Sequence, residues 1–321
     1  MKRPKALITG VLGFAGSYLA EELIAAGYEV VGNRYKREST TNIRHIRNRV
    51  QLVSLDIERT EHCRKILELT KPDYVFHLAA MASVGHSFSN ERATLRINVD
   101  GTLNMLEAAS KLPALKKFVY ISSSECYGTF TPKHKTLTED QPLNPISPYG
   151  ISKATAERLS LYYYRQHGLP VSVARAFNHT GPRQVDTFVV PAFARQVAMI
   201  EAGKQKPVMS VGNLTAKRDL SDVRDIARGY RLIAERGKPG DVYQLCCGRA
   251  VKIQTVLDTL VAMSSRKIRV KTDKSRLRKA DIPVLRGSYR KAARELGFEV
   301  QYNLHTTLAD TLQYWRNMIR K

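Results

Sequence analysis

Short apolar runs alternate with amphipathic segments along the first half of the chain. The apolar runs predict strands at residues 5–10, 28–32, 50–57, 73–80, 118–124 and 170–177. Helical spacing of apolar residues predicts helices at residues 17–27, 63–72, 91–111 and 147–168. Strands that alternate with helices and are apolar almost throughout are typical of a parallel sheet buried on both faces. We therefore expect an α/β fold with a Rossmann-type, doubly wound parallel sheet.

This alternation loosens after about residue 178. Helices are predicted at residues 188–203, 222–237 and 253–265, and residues 241–248 predict a strand that returns to the sheet. No Pro/Gly-rich linker separates the two halves. The sequence therefore predicts a sheet domain of residues 1–178 plus 219–248, interwoven with a smaller C-terminal lobe of residues 179–218 plus 249–321.

Composition narrows the class of protein. Hydrophobic residues make up 43% of the 321 positions, which is ample for a core and unlike a disordered chain. No apolar run reaches the roughly 18 residues of a membrane span, so we expect no membrane insertion. The four cysteines (Cys63, Cys126, Cys246 and Cys247) have no metal-ligand spacing. We therefore expect no metal site and a reduced, cytoplasmic protein.

Positive charge is the unusual feature of the composition. The chain has 52 Lys and Arg against 29 Asp and Glu, a formal net charge of +23. One alternative is a basic, Rossmann-like nucleic-acid-binding protein, with segments 34–49 and 266–279 as its patches. Those segments lack the interleaved aromatic residues that stack on bases, so no nucleic-acid partner is expected. Phosphorylated small molecules are the other polyanions that a positive field attracts.

Three glycines lie between the first predicted strand and the first predicted helix. Gly10 and Gly13 permit a tight turn and close approach of a pyrophosphate, and Gly16 permits close packing of helix against strand. The N–H groups of the following helix attract phosphate. This arrangement predicts that the sheet domain binds a dinucleotide.

The end of the second strand bears on which dinucleotide it is. Gly32-Asn33-Arg34 has no Asp or Glu to hold a ribose hydroxyl, and Arg34 is suited to a 2′-phosphate. This favours NADP(H) and leaves NAD(H) open, with Arg34 as a solvated loop cation as the alternative. Asp56, after the third strand, is a candidate for the adenine amine or for a helix cap.

Three residues form a candidate proton-transfer set. Tyr149 and Lys153 are four residues apart on a predicted helix and so share a face. A neighbouring ammonium lowers the pKa of a phenol, which would let Tyr149 exchange a proton with a substrate oxygen. Ser123 ends the fifth strand, at the sheet edge where such folds bind ligands.

These segments resemble a known family. TGVLGFAGSYLAEEL, HLAAMASV, NVDGTLNMLEA, SSSECYG and PYGISKATAE, in this order, are similar to extended short-chain dehydrogenase/reductases that act on nucleotide sugars. Four later segments resemble the GDP-6-deoxy-D-mannose reductases within that family, and next to them the GDP-mannose 4,6-dehydratases: ARAFNHTGPRQ, GNLTAKRDLSDVRDIARGY, GDVYQLCCG and DIPVLRGSYRKAARELGF. The resemblance covers about residues 5–300.

The resemblance implies roles for particular residues. Tyr149 would donate a proton to the C4 oxygen of the sugar, Lys153 would tune it and hold the nicotinamide ribose, and Ser123 would assist. The cofactor-contacting positions implied are Gly10, Gly13, Phe14, Gly16, Asp56, Ile57, Leu78, Ala79 and Ala80. The substrate-contacting positions implied are Asn178, Phe188, Val189, Arg218 and Arg286. A homodimer built on the helices near 91–111 and 147–168 is also implied.

The reaction implied is reduction of the C4 ketone of GDP-4-keto-6-deoxy-D-mannose to GDP-D-rhamnose. Glu125 complicates this, because an acid at that position serves the elimination step in the dehydratases. Thr180-Gly181-Pro182 favours the reductase branch, whereas Arg183 stands where reductases commonly have glycine. A dehydratase and another nucleotide-sugar reductase or epimerase stay open as alternatives.

Overall fold

The structure is a computed structural model that describes residues 3–129, 136–273 and 282–320. Its strands are β1 (Lys5–Thr9), β2 (Glu29–Arg34), β3 (Val50–Ser54), β4 (Tyr74–His77), β5 (Lys117–Ser123), β6 (Val171–Ala176), β7 (His179–Thr180), β8 (Val208–Val211), β9 (Lys217–Asp219), β10 (Ser221–Asp222), β11 (Val242–Leu245), β12 (Ala250–Lys252), β13 (Arg269–Thr272) and β14 (Val284–Leu285).

The helices follow the same chain order. They are α1 (Phe14–Ala25), α2 (Thr60–Thr70), α3 (Val84–Ser87), α4 (Glu91–Leu95), α5 (Gly101–Ser110), α6 (Pro148–His167), α7 (Val189–Glu201), α8 (Val223–Arg236), α9 (Ile253–Ala262), α10 (Arg290–Leu296) and α11 (Leu304–Arg320). The described residues also include three helical segments that are not α-helical: a 3-10 helix at Thr41–Arg49, a π-turn at Arg96–Asp100 and a 3-10 turn at Ser124–Tyr127.

Seven strands form one parallel sheet in the order β11-β6-β5-β4-β1-β2-β3. The strand order reverses between β1 and β4, so the loops after these two strands diverge and leave a crevice at the carboxyl edge. The expected doubly wound, Rossmann-type sheet is confirmed, and the crevice is where such folds bind ligands.

Helices cover both faces of the sheet, and successive side chains of a strand enter the apolar clusters on opposite faces. Ala6 and Ile8 of β1 enter the cluster formed with α1 and α8, and Leu7 enters the cluster formed with α2, α5 and α6. Near-continuous apolar strands are what two covered faces require.

The C-terminal lobe has an apolar cluster of its own. Helices α7, α9 and α11 surround β8, with Met209 and Leu308 both fully buried among them. Helix α10 behaves differently, because its Ala292 and Leu296 join the cluster of α1 and α8 in the sheet domain. The chain therefore crosses between the two cores more than once.

Several helices and strands begin or end at residues other than those predicted from the sequence. Helix α1 begins at Phe14 rather than at residue 17, because the extended backbone of Gly13 caps it. The helix predicted at 91–111 contains the π-turn Arg96–Asp100. The strand predicted at 241–248 ends at Leu245, so Cys246 and Cys247 lie in the loop that follows.

Candidate active site

A cavity of about 1300 Å³ opens at the carboxyl edge of the sheet and extends between the sheet domain and the C-terminal lobe. All the predicted site residues except Arg34 and Arg286 line it. The glycine turn lies at one end, Ser123, Tyr149 and Lys153 contribute to the lining, and Arg218 comes from the lobe. The volume is large for a single small ligand and suits two elongated ones together.

The glycine turn has the backbone that a diphosphate site needs. Gly10 has a positive φ of +77°, and a Cβ there would lie 3.0 Å from the backbone nitrogen of Ala79. A Cβ on Gly16 would lie 2.1 Å from the carbonyl oxygen of Gly10. The N–H groups at the start of α1 have no partner within the helix and point toward the crevice end of the fold. These residues fit a dinucleotide diphosphate.

The loops after β3 and β4 form the wall beside this turn. Ala79 donates its backbone N–H to the Thr9 hydroxyl at 3.1 Å, which fixes the loop that also contains Leu78 and Ala80. Asp56 accepts a hydrogen bond from the backbone N–H of Glu58 at 3.1 Å and lies beside Ile57 in the cavity lining. Asp56 does not cap a helix, since α2 begins at Thr60 with Arg59 as its cap residue.

Arg34 does not reach the main cavity. Its Nε donates to the carbonyl oxygen of Glu38 at 3.1 Å, and its side chain lines a separate, smaller cavity with Lys36 and Arg47. Glu38 instead lines the main cavity. No pattern in the sequence indicates that Glu38 rather than Arg34 lines the main cavity, because Glu38 lies in the loop beyond β2 and not at the strand end.

Ser123, Tyr149 and Lys153 come together as the spacing predicts. Ser147 caps α6 by accepting from the backbone N–H of Gly150 at 3.0 Å, and Pro148 occupies the first helical turn. Tyr149 then lies in the first turn and hydrogen-bonds to the Ser123 hydroxyl. Lys153 is 3% exposed, and its Nζ lies 4.7 Å from the centre of the Tyr120 ring.

Burial sets the ionisation of this set. It raises the pKa of the Tyr149 phenol, and the hydrogen bond to Ser123 only partly opposes the rise. Burial lowers the pKa of Lys153 to about 8, with Cys126 and Glu157 acting in the opposite direction. The expected lowering of the Tyr149 pKa is therefore wrong for the ligand-free protein. Near neutral pH Tyr149 carries its proton, which is the form that a proton donor needs.

His77 lies close to Lys153 but has a structural role. Its Nδ1 hydrogen-bonds to Thr9 at 2.9 Å and its Nε2 to Thr102 at 3.0 Å. Burial, with a smaller contribution from the charge of Lys153, lowers its pKa to about 3. A neutral His77 thus joins β1, β4 and α5 beneath the cavity.

Glu125 lies in the same cavity. It is 8% exposed, and its charge is one of the influences that raise the pKa of Tyr149. Its backbone N–H donates to the Ser123 hydroxyl at 3.2 Å. A buried carboxylate beside the phenol is placed to act on a proton or hydroxyl of a bound sugar.

The lobe side of the cavity holds most of the predicted substrate residues. Arg218 is 7% exposed, and its Nη1 donates to the carbonyl oxygens of Lys217 at 3.0 Å and Ile282 at 2.6 Å. Asn178 lines the cavity, and its buried Oδ1 has no hydrogen-bond partner among the described residues. Phe188 and Val189, at the start of α7, are half-buried in the lining.

Arg286 lies outside the cavity lining. Its side chain is exposed, and its Nε donates to the carbonyl oxygen of Gly248 at 3.0 Å. A role in binding substrate stays a prediction for this residue.

Arg183 is a cavity residue without a predicted role. It has a positive φ of 74°, in the left-handed region that favours glycine. Its guanidinium lies 3.6 Å from the Tyr18 ring centre, pairs with Glu21 at 2.5 Å and donates to the carbonyl oxygen of Asn42 at 2.9 Å. It thereby ties the lobe loop to the sheet domain, and its departure from the family pattern was the available signal.

Two further structural findings concern the described ranges alone. In residues 3–129, 136–273 and 282–320, no group of three or more His, Cys, Asp or Glu side chains could hold a metal ion. In the same ranges no helix has the length and apolar character needed to cross a bilayer. Residues 274–279 of the basic segment 266–279 lie outside the described residues.

Comparison with known proteins bears directly on this site. The family model described as GDP-mannose 4,6 dehydratase matches residues 7–311. The chain belongs to the GDP-mannose 4,6 dehydratase family. It is thus an enzyme of the short-chain dehydrogenase/reductase fold in the nucleotide-sugar branch, as the resemblance implied.

Two curated relatives, one from each branch, have the same sequence identity to this chain. GDP-6-deoxy-D-mannose reductase of Pseudomonas aeruginosa is 34% identical over 250 residues, which are 78% of this chain and 82% of the relative. GDP-mannose 4,6-dehydratase of Sinorhizobium fredii is 34% identical over 267 residues, 80% of this chain and 75% of the relative. The comparisons therefore support both branches.

Solved structures agree with the fold. RMD from Pseudomonas aeruginosa complexed with NADPH superposes with a TM-score of 0.84 at 29% identity, covering 98% of this chain and 99% of that one. UDP-glucose 4-epimerase of Thermotoga maritima, with UDP-glucose, gives a TM-score of 0.87 at 29% identity and the same coverage.

Proposed function

We propose that the protein reduces the C4 ketone of GDP-4-keto-6-deoxy-D-mannose to GDP-D-rhamnose, using NADP(H), with NAD(H) as the alternative cofactor. The observation that carries the proposal is one continuous cavity lined by the glycine turn, the Ser123–Tyr149–Lys153 set and Arg218. The similarity to the Pseudomonas aeruginosa reductase and to RMD complexed with NADPH supports it.

The chain's own residues divide the work in this proposal. The N–H groups at Phe14, Ala15 and Gly16 receive the cofactor diphosphate, and bound NADP(H) supplies the hydride for C4. Tyr149 donates its phenolic proton to the C4 oxygen as the ketone becomes an alcohol. The Ser123 hydroxyl orients that oxygen, and the Lys153 ammonium stabilises the phenolate that remains.

The substrate would lie toward the lobe. Arg218 offers the planar guanidinium that suits a nucleoside diphosphate. A sugar hydroxyl is the donor that the unpartnered Oδ1 of Asn178 lacks. Phe188 and Val189 provide apolar surface for the base. We further propose that residues 1–178 plus 219–248 bind the dinucleotide and the remainder binds the sugar nucleotide.

Glu125 favours a second candidate function, GDP-mannose 4,6-dehydratase. Elimination of water across C5 and C6 needs a base for the C5 proton and an acid for the leaving hydroxyl. The buried carboxylate of Glu125 beside Tyr149 is suited to that work. The Sinorhizobium fredii relative supports this candidate as well.

One experiment separates the two. NADPH absorbance is followed with GDP-4-keto-6-deoxy-D-mannose, and product from GDP-mannose is analysed in parallel. If the protein is a reductase, one NADPH is oxidised for each sugar nucleotide reduced. The rate of this oxidation should be about 10²- to 10⁴-fold lower in Tyr149→Phe. Formation of the 4-keto sugar from GDP-mannose without net cofactor consumption would instead establish the dehydratase, and Glu125→Gln should then remove that activity.

We also propose a homodimer, located in the cytoplasm. Leu95 on α4 and Ile151 and Tyr162 on α6 are between 40% and 46% exposed, and the two helices pack side by side. Exposed apolar side chains on two neighbouring helices favour a subunit interface there. Sedimentation of Ile151→Glu should give a monomer, while Met318→Glu, which alters an equally exposed side chain on α11, should leave a dimer.

A further inference from the structure

A third titratable residue lies on the catalytic face of α6. Tyr149, Lys153 and Glu157 follow one another at intervals of four residues, so their side chains project from one side of the helix. Glu157 is 1% exposed, and it lies outside the cavity lining. Neither binding nor proton transfer, as proposed above, uses it.

Glu157 is held by two donors from the sheet. Arg175 of β6 donates from Nη2 at 2.5 Å and from Nε at 3.0 and 3.1 Å to its carboxylate oxygens. The Ser122 hydroxyl donates to Oε2 at 2.6 Å. Ser122 is adjacent to Ser123, so the same carboxylate fixes the end of β5 that presents the catalytic hydroxyl.

Stability does not explain such a group. A buried ion pair is often no more stable than apolar residues of the same volume, because removing both charges from water offsets their attraction. Arg175 is itself 5% exposed and also donates to Tyr127 at 2.7 Å. A buried pair beside an active site therefore points to an electrostatic role.

The surroundings of Lys153 define that role. His77 of β4 is neutral, the Tyr120 phenol of β5 is protonated, and burial raises the pKa of Cys126 to about 12, so its thiol is protonated too. Cys126 and Glu157 both act on Lys153 in favour of the ammonium, and of these two only Glu157 is held in an ion pair, with Arg175. Apart from Lys153, the titratable groups that interact with Tyr149 include Glu125, Cys126, Tyr120 and Tyr230, and none of these is a cation.

We propose that Glu157, ion-paired with Arg175, is a positioning residue of this active site: it keeps the buried Lys153 charged and holds the Ser122–Ser123 strand end in place. The Lys153 ammonium then stabilises the Tyr149 phenolate formed as the proton leaves. This inference rests on the proposed function for its kinetic readout, whereas the titration of Lys153 itself needs no substrate.

The test measures the pKa of Lys153 in the ligand-free protein. Lysine labelled with ¹³C at Cε is titrated by NMR, and the Lys153 signal is assigned by its absence in Lys153→Met. Four variants are compared with the wild type: Glu157→Gln, Glu157→Asp, the double variant Glu157→Gln/Arg175→Gln, and Tyr127→Phe. The last removes a hydroxyl from the same network without changing a charge.

We expect Glu157→Gln to lower the pKa of Lys153 by about one unit, a tenfold change in protonation. Glu157→Asp should restore most of the shift, and Tyr127→Phe should cause none. The double variant leaves no buried cation unpaired, so the pKa of Lys153 is measured in that variant if Glu157→Gln does not fold. Its shift should have the same sign and be smaller.

An unchanged Lys153 pKa in the folded Glu157 variants overturns the proposal. So does an equal shift in Tyr127→Phe or an aspartate variant that behaves like glutamine, because each would show that packing rather than charge is responsible. In the reductase assay the basic limb of kcat/KM should shift with Lys153. If the protein lacks reductase activity while Lys153 still shifts, the proposed function fails and this inference stands.

Discussion

The Asn33 side chain accepts a hydrogen bond from the backbone N–H of Gly10 at 2.6 Å. Its amide nitrogen donates to the carbonyl oxygen of Leu55 at 3.3 Å. Through these two hydrogen bonds Asn33, which is 4% exposed, joins the glycine turn after β1 to the ends of β2 and β3. The position at which an acidic residue would hold a ribose is therefore used to brace the phosphate-binding turn.

Asn33→Asp should destabilise the protein although it is nearly isosteric. A carboxylate cannot donate to Leu55, and its second oxygen would face a buried carbonyl oxygen. We expect a loss of about 1–3 kcal/mol in the free energy of unfolding, measured by urea denaturation. A variant as stable as the wild type would mean that Asn33 does not brace the turn.

Arg34→Ala should leave the KM for NADPH within about twofold of the wild type, because the side chain lines a different cavity. Ser39→Asp, which brings a carboxylate into the main cavity, should raise that KM about tenfold, or about 1.4 kcal/mol. NADH should be less affected in the second variant. A large loss for NADPH alone in Arg34→Ala would instead support the pairing of Arg34 with a 2′-phosphate.

Gly16→Ala should abolish dinucleotide binding, since the added Cβ would lie 2.1 Å from the backbone oxygen of Gly10. Gly13→Ala is the graded comparison, because its Cβ would lie 3.2 Å from the same oxygen. Fluorescence titration with NADPH measures both. Equal affinities for the two variants would contradict the close packing of α1 against the turn.

Arg183 permits backbone strain to be separated from side-chain contacts. Arg183→Ala loses the contacts with Glu21 and Tyr18 and keeps the positive φ, whereas Arg183→Gly loses the contacts and the strain together. Thermal or urea unfolding should rank the glycine variant above the alanine variant by about 1 kcal/mol. The reverse order would show that φ is not positive in solution.

Reduction should slow above about pH 8, where the Lys153 ammonium loses its proton. Burial has lowered this pKa from 10.5, so the charged form required for catalysis prevails below about pH 8 and declines above it. The profile of kcat/KM should fall about tenfold per pH unit beyond that point. A flat profile to pH 10 would exclude Lys153 as the controlling group.

Much of the sheet domain was predictable because its signals are local. Each apolar run that predicts a central strand overlaps an observed one, and Gly10, Gly13 and Gly16 mark the turn between β1 and α1. The four-residue spacing of Tyr149 and Lys153 specifies one helix face without any tertiary information.

The lobe was less predictable because short strands carry little pattern. β7, β9 and β14 have two or three residues each, and they form through pairing with distant segments. Helix α11 is a different case, since Leu304, Leu308, Leu312, Trp315 and Ile319 have helical spacing and could have indicated it.

The amino-acid sequence is enough to place the chemical groups along the chain: a glycine turn, a serine at a strand end, then a tyrosine and a lysine on one helix. Which cations enter the cavity depends on the folded structure. Arg34 and Arg218 are equally charged in the sequence, yet Arg34 lines a separate cavity while Arg218 is buried in the lining of the main one. The reason is that the direction of a long side chain depends on the loops packed around it, and those loops come from distant parts of the chain.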